Sequence, residues 1–577
     1  MFNRYFQQEL DNLKELGADF SEAHPALAPM LGGPSGDPDV ERLLEGVAFL
    51  TALLRQKLDD EFPEIIHELV QLIWPHYLRP IPSTTIIAFT PKPTIKQSLI
   101  IPEGIRIASV PIEGTTCLFQ TCYDVHVHPL VLLEASYEKS AGQSPTIRLI
   151  LELRGPQLSD WDPGFLRFFL AGDFSNAANT HYLLQKHLKQ IEITSLDNGQ
   201  SVILPPDNLR PVGFSDKENL FPYPAHSFPG YRILQEYFIL PSKFLFLDLV
   251  GWERWHNRGD GNRFEIRFIL DDLPLPQPKI KTSNFVLAAT PAVNLFDHEA
   301  DPIRLDHRKT DYIVRPSGSN TAHYQVYELK KVVGFVQGTA KEVIYLPFDM
   351  FSSDQISKPV YRTKLRRSPI SSGLDVFLSF AYPSAAGPPR KETLSVWIQC
   401  TNGRLSERIQ LGDISSPTST SPEFVEFKNI IPPTANVMPP LGSNLLWRLL
   451  SHLSLNYLSL SNAKNLQALL ELYIFEETRD KTSIIANRKR IAGIEEVETE
   501  GAQRLVSGIM MRGRNIRLKA REDHFAGSGD LFLFGSIMDH FLANYASINT
   551  YTYLSIKESI KGDLYQWPAR IGAHPLI

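Results

Sequence analysis

The chain has 577 residues, 43% hydrophobic and 21% charged, close to the averages of folded globular proteins. That balance excludes a mostly disordered, fibrous or membrane-spanning chain, and the length exceeds the ~250–300 residues one core usually serves, so two to four modules are expected. A net charge of −6 leaves no global positive excess to collect phosphate backbones, so no nucleic-acid partner is expected; three cysteines (Cys117, Cys122, Cys400) without a Cys-x-x-Cys pair offer neither a disulfide framework nor a thiolate zinc site.

The opening stretch MFNRYFQQELDNLKEL has no basic segment leading into an apolar one, and no apolar run approaches the ~20 residues that cross a bilayer. Neither export nor direct membrane insertion is expected, and the cysteine usage fits a cytoplasmic location. Phe2, Phe6, Leu10, Leu13 and Leu16 recur at helical spacing and predict an amphipathic helix from Phe2 to Leu16, broken by HPALAPMLGGPSGDP. Asp37 is placed to cap a second helix and Pro38 to open it, predicting a span from Pro38 to Leu58. On its wheel Val40, Leu43, Leu44, Val47, Leu50, Leu54 and Leu58 share one face, while Phe49 and Leu53 point well away. A helix apolar nearly all round its middle turns has to be covered on more than one side, so these nine residues form the candidate partner interface. A third helix, PEIIHELVQLIW, is predicted from Pro63 to just before Pro75, with Asp59, Asp60, Glu61 and Glu64 at its N-terminal end, where the dipole favours carboxylates by ~0.3–1 kcal/mol each.

After PHYLRPIPS the pattern turns to short runs of β-branched and aromatic residues between prolines and glycines, TTIIAFTP, GIRIASVP, CLFQTCYDVHVHP, LVLLEASY and TIRLILELRG, which predict strands. Helical spacing returns from Leu166 to Leu188, and a second strand-rich section runs from about Thr282 to Phe427, ending in DISSPTSTSPE, which reads as an exposed loop or linker. SNLLWRLLSHLSLNYLSLSNAKNLQALLELYIF predicts helices, and the last stretch combines the strands NIRLKARE and TYTYLSI with a helix around DLFLFGSIMDHFLANYASI. The expected class is α+β: N-terminal helices over 1–80, a first β-rich region with a helical insert over 81–281, a second over 282–430, and a mixed α/β region over 431–577.

Signatures of chemistry are few. The pair Gly-Lys is absent, which rules out a phosphate-cradling P-loop, and no Gly-x-Ser-x-Gly elbow occurs. HELVQ at His67 places Gln71 where a second zinc ligand belongs, and GSGDLFLFG at Gly527 places Phe532 where a dinucleotide fingerprint needs its third glycine, so it reads as a turn before a helix. His126 and His128 leave one strand face together and would need a third and fourth ligand from elsewhere to hold a metal; a solvent-facing or locally hydrogen-bonded pair is expected. Arg258-Gly259-Asp260 reads as a polar turn. Positive charge gathers in YRTKLRRSP at Tyr361, in NRKR at Asn487 and at Arg512, Arg514, Arg517, Lys519 and Arg521; the plain reading is a solvated face, the functional one an acidic protein partner. Asp59, Asp60 and Glu61 are the carboxylates a carbohydrate-active reading would use, but glycoside hydrolysis needs two carboxyl groups about 5–10 Å apart across a cleft, and sequence neighbours face each other poorly. No enzymatic activity, metal or cofactor is expected.

Blocks spread along the whole chain, DPDVERLLEGVAFLTALLRQKLDDEFPE, PHYLRPIPS, IPEGIRI with CLFQTCYDV, PGYRILQEYFILPSKFLFLDL, PAVNLFDHEADPIRLDH, CTNGRLSE, LWRLLSHLSLNYLSL, FLFGSIMDHFLANYASINTYTYLSI and WPARIG, resemble in order the type VI secretion baseplate subunit family TssF (ImpG/VasA). Gly403 and Ala569 depart from it, standing where arginine and proline are expected. The resemblance implies a structural role without catalytic residues or cofactor, in a protein similar to contractile-phage baseplate wedge subunits. It implies a wedge of two copies of the chain and one TssG sharing a helical bundle, TssK carried on the wedge, and six wedges around the spike hub from which sheath and tube assemble. The spike VgrG, the sheath-initiating TssE and the inner-tube protein Hcp then become neighbours, in a cytoplasmic assembly docked at the inner membrane. A wedge protein of a phage-like or extracellular contractile injection particle is the alternative.

Overall fold

A computed structural model of the chain describes residues 2–572 except 24–37, 74, 141, 224–227, 273–276, 319, 337, 339–341, 349–357, 369–372, 383–390, 440–461, 476–480 and 507. The chain divides into two compact units, Met1–Leu78 with Pro440–Leu449, and Arg79–Pro439 with Leu450–Ile577.

The first unit is built on two helices, α1 (Phe2–Ala23) and α2 (Pro38–Ile73). Helix α1 runs seven residues past its expected end at Leu16, through Gly17. The reason lies in packing: Gly17 is half-buried and Ser21 buried, so this turn is covered, and tertiary burial outweighs the modest cost of a helical glycine. Helix α2 is a single element of 36 residues, so the expected second and third helices are one. Pro63 removes one backbone bond and costs ~3 kcal/mol in a helix interior, yet Leu54, Leu58, Phe62, Ile65, Leu69 and Ile73 recur at three- and four-residue steps across it, giving one apolar face that continues on both sides. Asp59, Asp60, Glu61 and Glu64 therefore lie inside a helix and not at its N-terminus, where the dipole would favour them.

The second unit holds the sheets. One five-stranded antiparallel sheet runs in the order Val425–Asn429, Thr84–Pro91, Ala289–Val293, Thr115–Thr121, Arg106–Ile112, over a core that includes Ile87, Phe89, Ile107, Phe119 and Phe427. Thr84–Pro91 thus pairs with strands that follow it by some 200 and 340 residues. A second antiparallel sheet, Val202–Leu204, Leu188–Ser195, Arg263–Leu270, Thr146–Leu153, Leu130–Glu138, buries alternate residues such as Phe264, Ile266 and Phe268. A four-stranded sheet contains Phe165–Leu170, and an eight-stranded one runs within 296–401. The helix expected over Leu166–Leu188 is thus a strand followed by helix α3 (Phe174–Lys186), whose N-cap Asp173 accepts from the Asn176 N–H at 3.2 Å. A short apolar run such as LRFFL carries no period that separates strand from helix. Nor is DISSPTSTSPE a linker: the hydroxyls of Thr418 and Ser421 donate to the Arg106 carbonyl at 2.6 and 2.9 Å, and Ser416 bridges to Ala108.

Helix α4 (Pro229–Ile239) follows, and after it come α5 (Ala463–Glu471) and α6 (Lys481–Ala492); the helix expected over 443–461 lies outside the described residues. The C-terminal sheet has the order Ile494–Val506, Ile509–Ala520, Thr550–Glu558, Leu564–Gln566, with Arg570–Ile571 also on the third strand. Ile509–Ala520 and Thr550–Glu558 are parallel, and the chain crosses between them through α7 (Ser528–Ala543). Helix α7 is apolar and buried almost all round because α3, α4 and the sheet cover it. Glycine is required where that covering is tightest, since a Cβ at Gly529 would collide with the Ala178 backbone and one at Gly535 with the Trp567 ring.

Candidate partner interface

Helices α1 and α2 pack side by side in antiparallel fashion, Glu9 pairing with Arg55 and Glu41 with Lys14 at 3.5 Å. In the first half of α2 the fully buried positions are Ala48 and Ala52, one turn apart, flanked by the half-buried Leu44 and Thr51. Small residues at this spacing let a neighbouring helix come close. The consequence falls on the large residues. Of the predicted set, Leu43 (70% exposed), Val47, Phe49, Leu50 (62%), Leu53 and Leu54 (63%) lie on the surface, Val40 and Leu44 are half-buried, and the side chain of Leu58 is outside the described residues. Phe49 and Leu53 broaden the patch beyond the single face drawn on the wheel. Two residues of α1, Leu16 and Phe20, add to the exposed apolar surface and escaped sequence reasoning. Leu16 belongs to the apolar stripe that predicts the helix, and Phe20, one turn on, lies beyond the expected helix end.

Covering such residues yields roughly 1.5–3 kcal/mol per large side chain, and contiguous apolar patches of this kind on a soluble protein mark interaction sites. Asp59, Asp60 and Glu61 are consecutive positions of one continuous helix.

The most chemically suggestive cluster in the second unit is also accounted for by the fold. Glu236 of α4, fully buried, accepts from the Leu220 N–H at 2.8 Å, sits 3.4 Å from Arg232 and pairs with the fully buried Lys243, whose pKa burial pushes down. Arg232 reaches on to Asp216 at 3.1 Å. The cluster pins the chain around residues 216–220 against α4, with Arg232, Glu236 and Lys243 buried and Asp216 exposed at its outer end. All three cysteines are buried, and burial raises the thiol pKa to about 11 at Cys117 and about 12 at Cys400. His128 Nδ1 lies 2.8 Å from Ser98 Oγ and the ring is desolvated to a pKa of about 4, with His126 6.3 Å away centroid to centroid. Among the described residues no group of three or more His, Cys, Asp or Glu side chains is placed to hold a metal. Arg258 of the Arg-Gly-Asp turn donates to the carbonyls of Trp252, Trp255 and Trp161 and so ties that turn to its neighbours. Of the basic runs, Lys364 and Arg366 pair with Asp311, and Arg490 with the buried Asp530.

Comparison with known proteins decides the family. The family model for TssF of the type VI secretion system matches residues 1–574. The chain belongs to the TssF family. It is 30% identical to the type VI secretion system component TssF1 of Pseudomonas aeruginosa PAO1, over 99% of this chain and 98% of that one. It is similar, with a TM-score of 0.80 and 28% identity, to a chain in a cryo-electron microscopy structure of the TssK-TssF-TssG baseplate subcomplex, covering 93% of this chain and 99% of that one. A chain in a structure of the type VI secretion baseplate complex matches over the full length of both, with a TM-score of 0.62 and 25% identity. All of these matches name type VI secretion, the setting expected from the resemblance, the structural matches are parts of baseplates, and the fold is of the expected α+β class. This TssF-family chain has, among its described residues, no helix long and apolar enough to cross a membrane.

Proposed function

We propose that this chain is a non-enzymatic scaffold of a type VI secretion baseplate wedge, in which two copies join one TssG. The observation that carries the proposal is the uncovered apolar face of α2, from Leu43 to Leu54, with Leu16 and Phe20 of α1 beside it. One chain leaves that face in water, whereas a bundle of helices from three chains would cover it on several sides. The solved relative named together with TssK and TssG supports those two as partners, with TssK carried on the wedge. Six such wedges would surround a spike hub, bringing VgrG, TssE and Hcp into reach, and the particle would work in the cytoplasm, docked at the inner membrane through the rest of the apparatus. The test is co-expression with the TssG-like chain of the same system followed by native mass measurement. A 2:1 species is expected; a 1:1 species overturns the stoichiometry, and no complex at all overturns the bundle.

A further inference from the structure

The hairpin of Ile494–Val506 and Ile509–Ala520 has two halves of different chemistry. At its base, charges answer each other across the strands: Arg517 lies 3.0 Å from Glu500 and 3.9 Å from Glu498, and Lys519 3.7 Å from Glu495. This base is backed by Thr550–Glu558, which pairs with Arg512 to Ala520. Beyond Arg512 the hairpin continues, among the described residues, as two strands alone. Residues 501–515, GAQRLVSGIMMRGRN, contain three arginines and no acid. Leu505 and Met510 are directly paired and each is 65% exposed. Arg512 follows Met510 by two residues and so shares its face, and Arg504 stacks over the Tyr553 ring at 4.2 Å.

A two-stranded ribbon is marginally stable in water unless something covers it, and the charged residues that guard this one are all of one sign. We propose that the ribbon end docks into an apolar depression with an acidic rim on another protein of the secretion assembly, carboxylates pairing with the arginines while Leu505 and Met510 are buried. An anionic lipid surface offers the same charge and the same apolar interior. The ribbon's open backbone edges decide against it, because hydrocarbon leaves their N–H and C=O groups unsatisfied, whereas a protein can pair them by adding a strand.

The test places the photo-crosslinker benzoylphenylalanine at position 510 of the full chain in cells carrying the complete secretion system. The expected adduct joins another polypeptide at a stretch rich in Asp and Glu. Arg512→Glu lowers its yield about five-fold or more with an unchanged thermal melt, and Arg512→Lys retains it. Absence of an adduct, an adduct within the same chain, an adduct at a surface without acids, or a yield indifferent to Arg512→Glu overturns the proposal. Purified chain is also floated with phosphatidylglycerol–phosphatidylethanolamine vesicles; flotation that Met510→Ser abolishes would assign the ribbon to membrane and equally overturn it. A crosslinker at Leu50 reports the helical bundle separately, so the failure of one reading is distinguishable from that of the other.

Discussion

At the scale of residues, the buried polar groups of the second unit set measurable costs. His181 of α3 is fully buried against Phe532, and neither ring nitrogen has a hydrogen-bond partner among the described residues. Burial alone pushes its pKa down from 6.5 to about 4, so the folded ring is neutral where the unfolded one begins to charge. The folded state's advantage is therefore complete above the unfolded pKa and is lost as pH falls from about 6.5 toward 4. His181→Leu should raise the melting temperature, because an orphaned buried polar group costs ~1–3 kcal/mol, and the gain should be larger at pH 5 than at pH 8. A gain that shrinks on acidification would place the titration elsewhere. Lys243→Met should destabilise by ~3 kcal/mol in denaturant titrations, since it strips the buried Glu236 of its closest cation, and adding Glu236→Gln should recover much of the loss. Neither residue was legible as buried from sequence: Lys243 sits in ILPSKFLF and His181 in ANTHYLLQ, where burial is decided by elements far along the chain.

At the scale of elements, the uncovered face of α2 separates folding from assembly. Leu50→Asp and Leu54→Asp replace side chains more than 60% exposed, so each variant should keep the helical circular dichroism and the melt of the parent. Neither should join TssG, because desolvating an unpaired carboxylate in a packed interface costs several kcal/mol. Co-purification checks this, and wild-type recovery of both variants would mean that another face makes the contact. That Leu43, Val47, Leu50 and Leu54 fall together on one face was readable from the helical period, which needs only local information. What covers Ala48 and Ala52 was not, because the wheel ranks positions by apolarity and the intramolecular seam uses its smallest members. The merger of two predicted helices has a similar cause: proline is a strong local stop signal, and it was overruled by an apolar period that spans it. The strands flanking α7 were recognisable because apolar and polar residues alternate in NIRLKARE and TYTYLSI, whereas α7, apolar almost all round, was recognisable by the length of its apolar run.

At the scale of the whole molecule, strand partners are drawn from remote parts of the chain. Thr84–Pro91 lies between Ala289–Val293 and Val425–Asn429, and α3 and α4 pack on α7. A fragment spanning 81–281, the first β-rich region suggested by sequence, would expose both edges of its first strand and the faces of two helices. It should be recovered as aggregate or as a species that binds ANS and lacks a cooperative melt, whereas the intact chain melts cooperatively; a soluble fragment with a sharp transition would show that the remote strands are dispensable. Composition and period carried the α+β class to this scale, but no local signal says which strands pair across 340 residues.

The unbroken course of α2 has a mechanical consequence. Thirty-six residues at 1.5 Å each make a strut of about 54 Å, stiff along its length, on which each backbone position has a set height and azimuth. In the proposed wedge, partners gripping it at separated points would be held at a fixed distance and a fixed relative rotation, and the helix would work as a spacer. One inserted residue would turn everything beyond it by ~100°, whereas seven would lengthen the strut by ~10 Å and return the faces almost to phase.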